Sequence, residues 1–168
     1  MLLCADCGEI MNIKIRKAML KDREPVAEIE YKSKDKNSSL KKWHQNQKET
    51  YEMIEKIFKE KYFDVYILEV NKSLIGYFAI SFNKKKKVCY LNYFAIKKRF
   101  QGKGLSKLMM KKAIYLARKR KCRTLGLAVW AKNFKAIGLY NKFGFFVKSI
   151  KKRYYPNKDD KLIMERLL

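Results

Sequence analysis

Three strand-like runs follow one another between residues 64 and 96, and short polar turns separate them. The turns are Asn71-Lys72 and the lysine-rich stretch 83–87. Consecutive strands joined by such short turns pair in antiparallel fashion, because a parallel pair needs a crossover of a dozen or more residues. The sequence therefore predicts an antiparallel meander, and every other element has to be built around it.

Helices and further strands flank this meander in mixed order. A short alternating strand at 13–15 precedes two helical stretches, the first of them capped by Asp22. The second has a predicted apolar face made of Leu40, Trp43, Tyr51, Ile54, Ile57 and Phe58. After the meander come a loop, an amphipathic helix, a strand at 124–130, a helix that Asn133 caps and Gly144 ends, and two closing strands. The predicted order is β-α-α-β-β-β-α-β-α-β-β, an α/β (α+β) fold.

The length of 168 residues and the hydrophobic fraction of 48% indicate one compact domain. Met11 opens the first strand, so we expect the domain to cover residues 11–168 and residues 1–10 to be an extension from an upstream start site. No run of 18 or more apolar residues occurs, and a membrane span is not expected.

The four cysteines favour a reducing cytoplasm over a disulfide framework. Cys4 and Cys7 form a Cys-x-x-Cys pair, but a closed zinc site needs four ligands. Cys89, Cys122 and His44 stand alone in the sequence. We therefore expect no bound metal.

Lysine and arginine dominate the charge, with 41 of them against 16 Asp and Glu and a net charge of +25. Such a field attracts anions, which include nucleotide cofactors, RNA, ribosomes and acidic peptides, and it repels polyamines. A lysine-rich surface typical of some thermophiles explains the same composition without any partner.

The segment Arg99-Phe100-Gln101-Gly102-Lys103-Gly104 lies between a predicted strand and a predicted amphipathic helix. At its two glycines the backbone N–H groups can approach a ligand without obstruction by a Cβ. The N-terminus of the following helix adds partial positive charge. This setting predicts a phosphate or pyrophosphate site, although two glycines in a loop also suit an ordinary turn.

Arg99-x-x-Gly102-x-Gly104 resembles the (Gln/Arg)-x-x-Gly-x-(Gly/Ala) motif of GNAT acetyltransferases, whose backbone amides hold the pyrophosphate of acetyl-CoA. Residues 133–145 resemble the second motif of that family, Asn-x-x-Ala-x-x-x-Tyr-x-x-x-Gly-Phe. Residues 13–18 are similar to the first GNAT strand. Arg153-Tyr154-Tyr155-Pro156 is similar to a turn in ribosomal-protein and protein N-terminal acetyltransferases. The likeness covers residues 12–168.

The resemblance implies a mixed central sheet with antiparallel N-terminal strands, a splayed parallel central pair and flanking helices. The cofactor acetyl-CoA would bind at the splay and the loop. The residues implied to hold it are Phe94, Ala95, Ile96, Arg99, Phe100, Gln101, Gly102, Lys103, Gly104, Leu105, Asn133 and Tyr140. Tyr140 would protonate the departing CoA thiolate, or it is simply a core aromatic residue, and Asn133 is also an ordinary helix cap. Tyr154 and Tyr155 are implied to contact the substrate, and Trp43 and Tyr51 either line its entrance or pack in the core.

The general base is where the sequence departs from the family. Related enzymes carry Glu or His at the position of Ala128, which can accept no proton. The remaining candidates are Tyr90 on the facing strand, Tyr154 and a bound water. An α-amino group has a pKa of about 7.7–8.0 and a lysine amine one of about 10.4, so a missing carboxylate favours α-amino substrates.

The leading hypothesis is an acetyl-CoA-dependent enzyme that acetylates protein N-termini by direct attack in a ternary complex. It would work in the cytoplasm as a monomer or homodimer, with its basic surface docking on RNA or the ribosome. The alternatives are an acetyltransferase for a small amine or antibiotic, and a GNAT-like RNA-binding protein without turnover. No recognised nucleic-acid-binding motif supports the last of these.

Overall fold

The computed structural model describes residues 12–33 and 46–168. Its strands are β1 (Ile13–Lys17), β2 (Phe63–Val70), β3 (Ser73–Asn83), β4 (Val88–Ile96), β5 (Thr124–Trp130), β6 (Phe146–Lys151) and β7 (Lys161–Leu167). Its helices are α1 (Arg23–Ser33), α2 (Gln47–Lys59), α3 (Leu105–Lys119) and α4 (Phe134–Lys142). The predicted order of elements is confirmed. The extension at 1–10 and the predicted contributions of Leu40, Trp43 and His44 lie outside the described residues.

The strands form one sheet of seven in the order β1-β2-β3-β4-β5-β7-β6. The first four pair in antiparallel fashion, as the short turns predict. β4 and β5 pair in parallel, and α3 makes the crossover between them. The sheet is therefore mixed, and β4–β5 is the only parallel pair among the described strands.

Two apolar cores lie on opposite faces of the sheet. On one face, Met109, Met110 and Ala113 of α3 pack with residues of β3, β4 and β5 and with Tyr140 of α4. On the other face, the buried residues of α1 and α2 cover β2 and β3. We call these the α3 face and the α1 face. They determine which side of the sheet each later residue occupies.

The parallel pair separates after four residues. Its register runs from Val88 opposite Thr124 to Leu91 opposite Leu127, and beyond these positions β4 and β5 continue without pairing. A bulge at Asn92 shifts the β3–β4 register at the same point, and bulges bend the strand that carries them. The predicted splay is confirmed, and it opens at the bulge.

Asp22 does not cap α1, so that prediction is wrong. It lies in a 3-10 turn before the helix, where its buried carboxylate accepts a hydrogen bond from the backbone N–H of Met19 at 2.7 Å. Both carboxylate oxygens also accept hydrogen bonds from Arg16, at 2.7 and 3.0 Å. This guanidinium lowers the pKa of Asp22, and the pair joins β1 to the start of α1.

Cys89 and Cys122 are not isolated thiols, which corrects the expectation from the sequence. A disulfide joins them, with 6.1 Å between their Cα atoms and a sequence separation of 33. The bond ties β4 to the loop before β5, on the paired side of the splay. The sequence did not show this pairing, because it depends on the parallel register of the two strands.

Among the strands that the structure describes, β6 forms one edge of the sheet and pairs only with β7. Every one of its residues is exposed. Phe146, Val147 and Ile150 keep 48%, 45% and 48% of their surface in solvent. No helix within residues 12–33 and 46–168 is both long and apolar enough to cross a bilayer.

Candidate functional site

The gap between β4 and β5 is the first part of the site. Phe94, Ala95 and Ile96 lie on the part of β4 that does not pair with β5. On its other edge this segment pairs with β3, where the opposite residues are Phe78, Tyr77 and Gly76. Alternate backbone groups of a strand point to each of its two edges. The groups of this segment that point away from β3 therefore face the gap, where a ligand can hydrogen-bond to them as a further strand would.

The loop after β4 is the second part of the candidate site. Gly102 and Gly104 have φ values of +80° and +78°, and open space lies where a Cβ would be at either residue. The left-handed region disfavours other residue types, so glycine follows this backbone path with the least strain. The side-chain N–H of Gln101 donates to the carbonyl of Ile96 at 3.0 Å, which fixes the loop to the end of β4.

The 15-residue helix α3 begins directly after Gly104. The N–H groups in the first turn of a helix have no acceptor within the helix, and they carry partial positive charge. Arg99 is exposed, and its guanidinium lies 4.9 Å from the centre of the Phe100 ring. The loop therefore offers backbone donors and cationic side chains at one place, an arrangement that suits a diphosphate.

Tyr140 lies on α4, in the core of the α3 face, with 8% of its surface exposed. Its ring centre is 5.9 Å from that of Phe145. Burial raises the pKa of its phenol to about 12. The hydroxyl thus stays protonated near neutral pH, and it is able to donate a hydrogen bond to a ligand there.

Asn133 caps α4, as predicted, since its side-chain oxygen accepts a hydrogen bond from the backbone N–H of Ala136 at 3.1 Å. Gly144 follows the helix in the left-handed conformation, with φ +73°, also as predicted. Contact of Asn133 with the CoA arm stays a prediction.

Tyr90 and Ala128 lie on the α1 face. The neighbours of Tyr90 in sequence, Cys89 and Leu91, are buried in the core of the α3 face, so Tyr90 points the other way. Its ring covers Gly126, where an added Cβ would lie 2.9 Å from two ring atoms. Tyr90 is on the paired side of the splay, whereas Ala128 is the first β5 residue beyond it. The role of Tyr90 as a base stays a prediction.

Tyr154 and Tyr155 lie in the turn between β6 and β7 with their ring centres 5.3 Å apart. Tyr155 is buried, with 6% of its surface exposed. The ammonium group of Lys161 lies 4.1 Å from the centre of the Tyr154 ring, which is only partly buried. Of the two, Tyr154 is the one more open to a substrate, and contact with a substrate stays a prediction for both.

Sequence reasoning missed a carboxylate on the α1 face. The hydroxyl of Tyr77 donates to Glu30 Oε2 at 2.6 Å, and Tyr77 itself is fully buried. The signal was present in α1, where Glu30 lies four residues after Val26 and three after Ala27, both buried. Residues with these spacings share one face of a helix, so a carboxylate at this position faces the sheet.

Within the part of the chain that the structure describes, no three His, Cys, Asp or Glu side chains come together as metal ligands would. Cys4 and Cys7, the Cys-x-x-Cys pair, lie outside it.

Comparison with known proteins gives a family match. The model of the acetyltransferase (GNAT) family matches residues 24–145, which include the gap, the loop, Glu30 and Tyr140. The crystal structure of the ribosomal-protein-S18-alanine N-acetyltransferase from Escherichia coli has a TM-score of 0.77 and 22% identity, over 92% of this chain and 93% of that chain.

Two curated relatives differ in what their names say they acetylate. The spermine/spermidine N(1)-acetyltransferase of Bacillus subtilis (strain 168) is 45% identical over 64 residues, which are 38% of this chain and 41% of that protein. The [ribosomal protein bS18]-alanine N-acetyltransferase of Haemophilus influenzae is 36% identical over 97 residues, 58% of this chain and 64% of that protein. The aligned part of this chain thus spans less than two thirds of either relative.

Proposed function

Because this chain belongs to the acetyltransferase (GNAT) family, we propose that it transfers the acetyl group of acetyl-CoA to the α-amino group of a protein N-terminus. The observation that carries the proposal is the separation of β4 from β5 after Leu91, next to a glycine loop that begins a helix. A thioester in the gap would be held by backbone groups, and a diphosphate on the loop by backbone groups together with the cationic side chains there. No nucleophilic side chain is then needed, because the amine attacks directly.

The residues around the gap fit the acetyl donor. The loop from Arg99 to Leu105 would hold its diphosphate, and open space at Gly102 and Gly104 leaves the backbone accessible. The N–H groups of Phe94–Ile96 that face the gap would donate to the thioester oxygen. Such fixed donors stabilise the negative charge that develops on this oxygen during attack.

Tyr140 would act on the sulfur. A phenol with a pKa of about 12 is a weaker acid than a thiol with a pKa near 8.5. Complete proton transfer from Tyr140 to the thiolate is therefore unfavourable unless another proton replaces the one it gives. We propose that Tyr140 donates a hydrogen bond to the departing sulfur and relays to it a proton released by the amine.

The two faces of the sheet would each bind one of the two substrates. Tyr140 and α3 lie on one face, whereas Tyr90 and Ala128 lie on the other. We propose that the donor approaches from the α3 face and the acceptor from the α1 face, and that they meet in the gap. Tyr154, in the turn between β6 and β7, would contact the acceptor chain.

An N-terminal α-amine is the preferred acceptor because an appreciable fraction of it is neutral near pH 7. The names of the Haemophilus and Escherichia relatives point the same way, since both refer to an alanine of a ribosomal protein. The net charge of +25 would favour docking on ribosomal RNA, and we place the enzyme in the cytoplasm on that basis. We keep both monomer and homodimer as its working form.

A polyamine is the second candidate acceptor, favoured by the 45% identity to the Bacillus spermine/spermidine enzyme. The charge of the chain opposes it, because a polycation is repelled by a field of the same sign.

A thiol-release assay with acetyl-CoA tests these proposals. The acceptors are short peptides with free N-termini, the same peptides N-terminally blocked but carrying lysine, and spermidine. We expect the free α-amines to be acetylated fastest. If spermidine or the blocked peptides are acetylated faster, the acceptor that we propose is wrong. If no amine causes release of CoA, the proposed enzymatic function is wrong.

A further inference from the structure

Glu30 is held in place by a buried partner. Its carboxylate accepts the 2.6 Å hydrogen bond from Tyr77, whose own side chain is completely buried. Burial, and then the nearby charge of Glu30, raise the pKa of Tyr77 well above its usual value. The phenol is therefore always a donor, and it fixes one oxygen of a carboxylate that is itself only partly buried.

The register of β3 and β4 places this carboxylate next to the gap. Tyr77 lies directly opposite Ala95, and Ala79 lies opposite Tyr93. All four side chains belong to the α1 face. Ala95 and Tyr93 follow the bulge, on the part of β4 that has no β5 partner. Glu30 thus stands above the strand segment that we propose holds the thioester.

Tyr93 connects Glu30 to a second carboxylate. Burial raises the pKa of Tyr93, and the nearby Glu30 and, more weakly, Glu60 raise it further. Glu60 follows α2, and its Oε2 is buried without a hydrogen-bond partner within the described residues. In a chain of net charge +25, two carboxylates around one partly buried strand segment make a local site for a cation.

We propose that Glu30 binds the ammonium group of the acceptor and accepts its proton, in place of the carboxylate that Ala128 cannot supply. This inference rests on the proposed acetyl transfer. Tyr77 is a positioning residue, and Tyr93 and Glu60 complete the wall of the cation site. The substrate class is a primary amine that arrives protonated.

The protons and bonds balance as follows. One proton of the ammonium group moves to Glu30, and the amine nitrogen forms a bond to the thioester carbon. The carbon–sulfur bond breaks, and the second proton lost by nitrogen reaches the sulfur through Tyr140. Glu30 returns its proton to water, so the products are the amide, CoA thiol and one proton.

Glu30→Gln tests the assignment, because glutamine still accepts the hydrogen bond from Tyr77 but has no charge. We expect kcat/KM for a free N-terminal peptide to fall by about 100-fold at pH 7. The defect should shrink by about tenfold at pH 9, where the α-amine is already neutral. Affinity for CoA, measured by calorimetry, should not change, since Glu30 lies on the opposite face of the sheet from α3.

Glu28→Gln is the matched control. Glu28 is on the same helix and loses the same charge, but its carboxylate pairs with Lys32 at 2.6 Å on the exposed side. We expect its kcat/KM to stay within about twofold of the wild type. Equal activity of the two glutamine variants would overturn the role of Glu30.

Tyr77→Phe tests the positioning. The variant removes only the hydroxyl, and we expect a fall in kcat/KM of about five- to tenfold. Tyr77→Phe combined with Glu30→Gln should be no slower than Glu30→Gln alone, because Tyr77 acts through Glu30. A residue that merely packs would slow the wild type and the Glu30→Gln variant by the same factor.

The outcomes separate the two proposals. A wild-type enzyme that acetylates peptides while Glu30→Gln is equally active refutes the base and leaves the proposed function standing. A wild-type chain that binds CoA but acetylates no amine refutes both.

Discussion

A reducing agent breaks one defined bond in the described part of this chain, the disulfide between Cys89 and Cys122. The bond closes a loop between residues with a sequence separation of 33, and this loop contains the part of β4 that does not pair with β5, the glycine loop and α3. A cross-link of this span removes loop-closure entropy from the unfolded chain, and it stabilises the fold by about 3–4 kcal/mol. For a chain of this length that free energy corresponds to a melting temperature about 10 °C higher.

The assay is thermal unfolding followed by circular dichroism, with and without a phosphine reductant. The control is Cys89→Ala with Cys122→Ala, which keeps Cys4 and Cys7 and so retains any effect of the reductant on them. Alanine is used because Cys89 is fully buried among apolar side chains, where serine would bury an unsatisfied hydroxyl. We expect the reductant to lower the melting temperature of the wild type alone.

Thiol counting in denaturant provides the second readout, with two free thiols fewer before reduction than after it. If the wild type melts at the same temperature in both buffers, or if all thiols titrate before reduction, the stabilising link between β4 and the β5 loop does not exist. An intracellular disulfide would itself agree with the lysine-rich surface, since both occur in proteins of hyperthermophiles.

Three further predictions concern the loop, the sulfur and acid stability. Gly104→Ala should cost about 1–2 kcal/mol of backbone strain and weaken CoA binding by about tenfold in calorimetry. Gly138→Ala, a control in helix α4 with equal space for a Cβ, should leave CoA affinity unchanged. Tyr140→Phe should lower kcat about tenfold or more with little effect on CoA affinity, and an equal loss of affinity would mean that Tyr140 only packs. Asp22 has its pKa lowered from 3.8 by Arg16, so the stability it gives is present above pH 3.8 and is lost as the pH falls below it. Acid titration of unfolding should show this loss, and Asp22→Asn should remove it.

The sequence predicted correctly those elements whose signals come from residues close together in the chain. Each of these signals affects the backbone only a few residues away. They are the short turns of the meander, the glycines at 102 and 104, and Asn133 and Gly144 at the two ends of α4. Their structures follow from hydrogen bonds and φ preferences that a linear pattern records. The order of elements and the mixed sheet could therefore be predicted.

The remaining features depend on register between distant segments. Cys89 meets Cys122 only because β4 and β5 pair in parallel, and Glu30 meets Tyr77 only because α1 lies across β3. Asp22 looked like a cap, but Arg16 on the preceding strand binds its carboxylate. A sequence gives no direct signal for such pairs, although a carboxylate at an apolar position of α1 marked one of them.

The open edge of the sheet at β6 has a consequence for handling the protein. A strand that has no partner on its outer edge among the described strands, with Phe146, Val147 and Ile150 in solvent, is a template on which another chain can extend the sheet. Mutual repulsion between copies that each carry +25 keeps such edges apart in dilute buffer. In about 1 M salt, ions shorten the range of this repulsion to about 3 Å. A high salt concentration therefore promotes aggregation through this edge, whereas a low ionic strength keeps the protein in solution without aggregation.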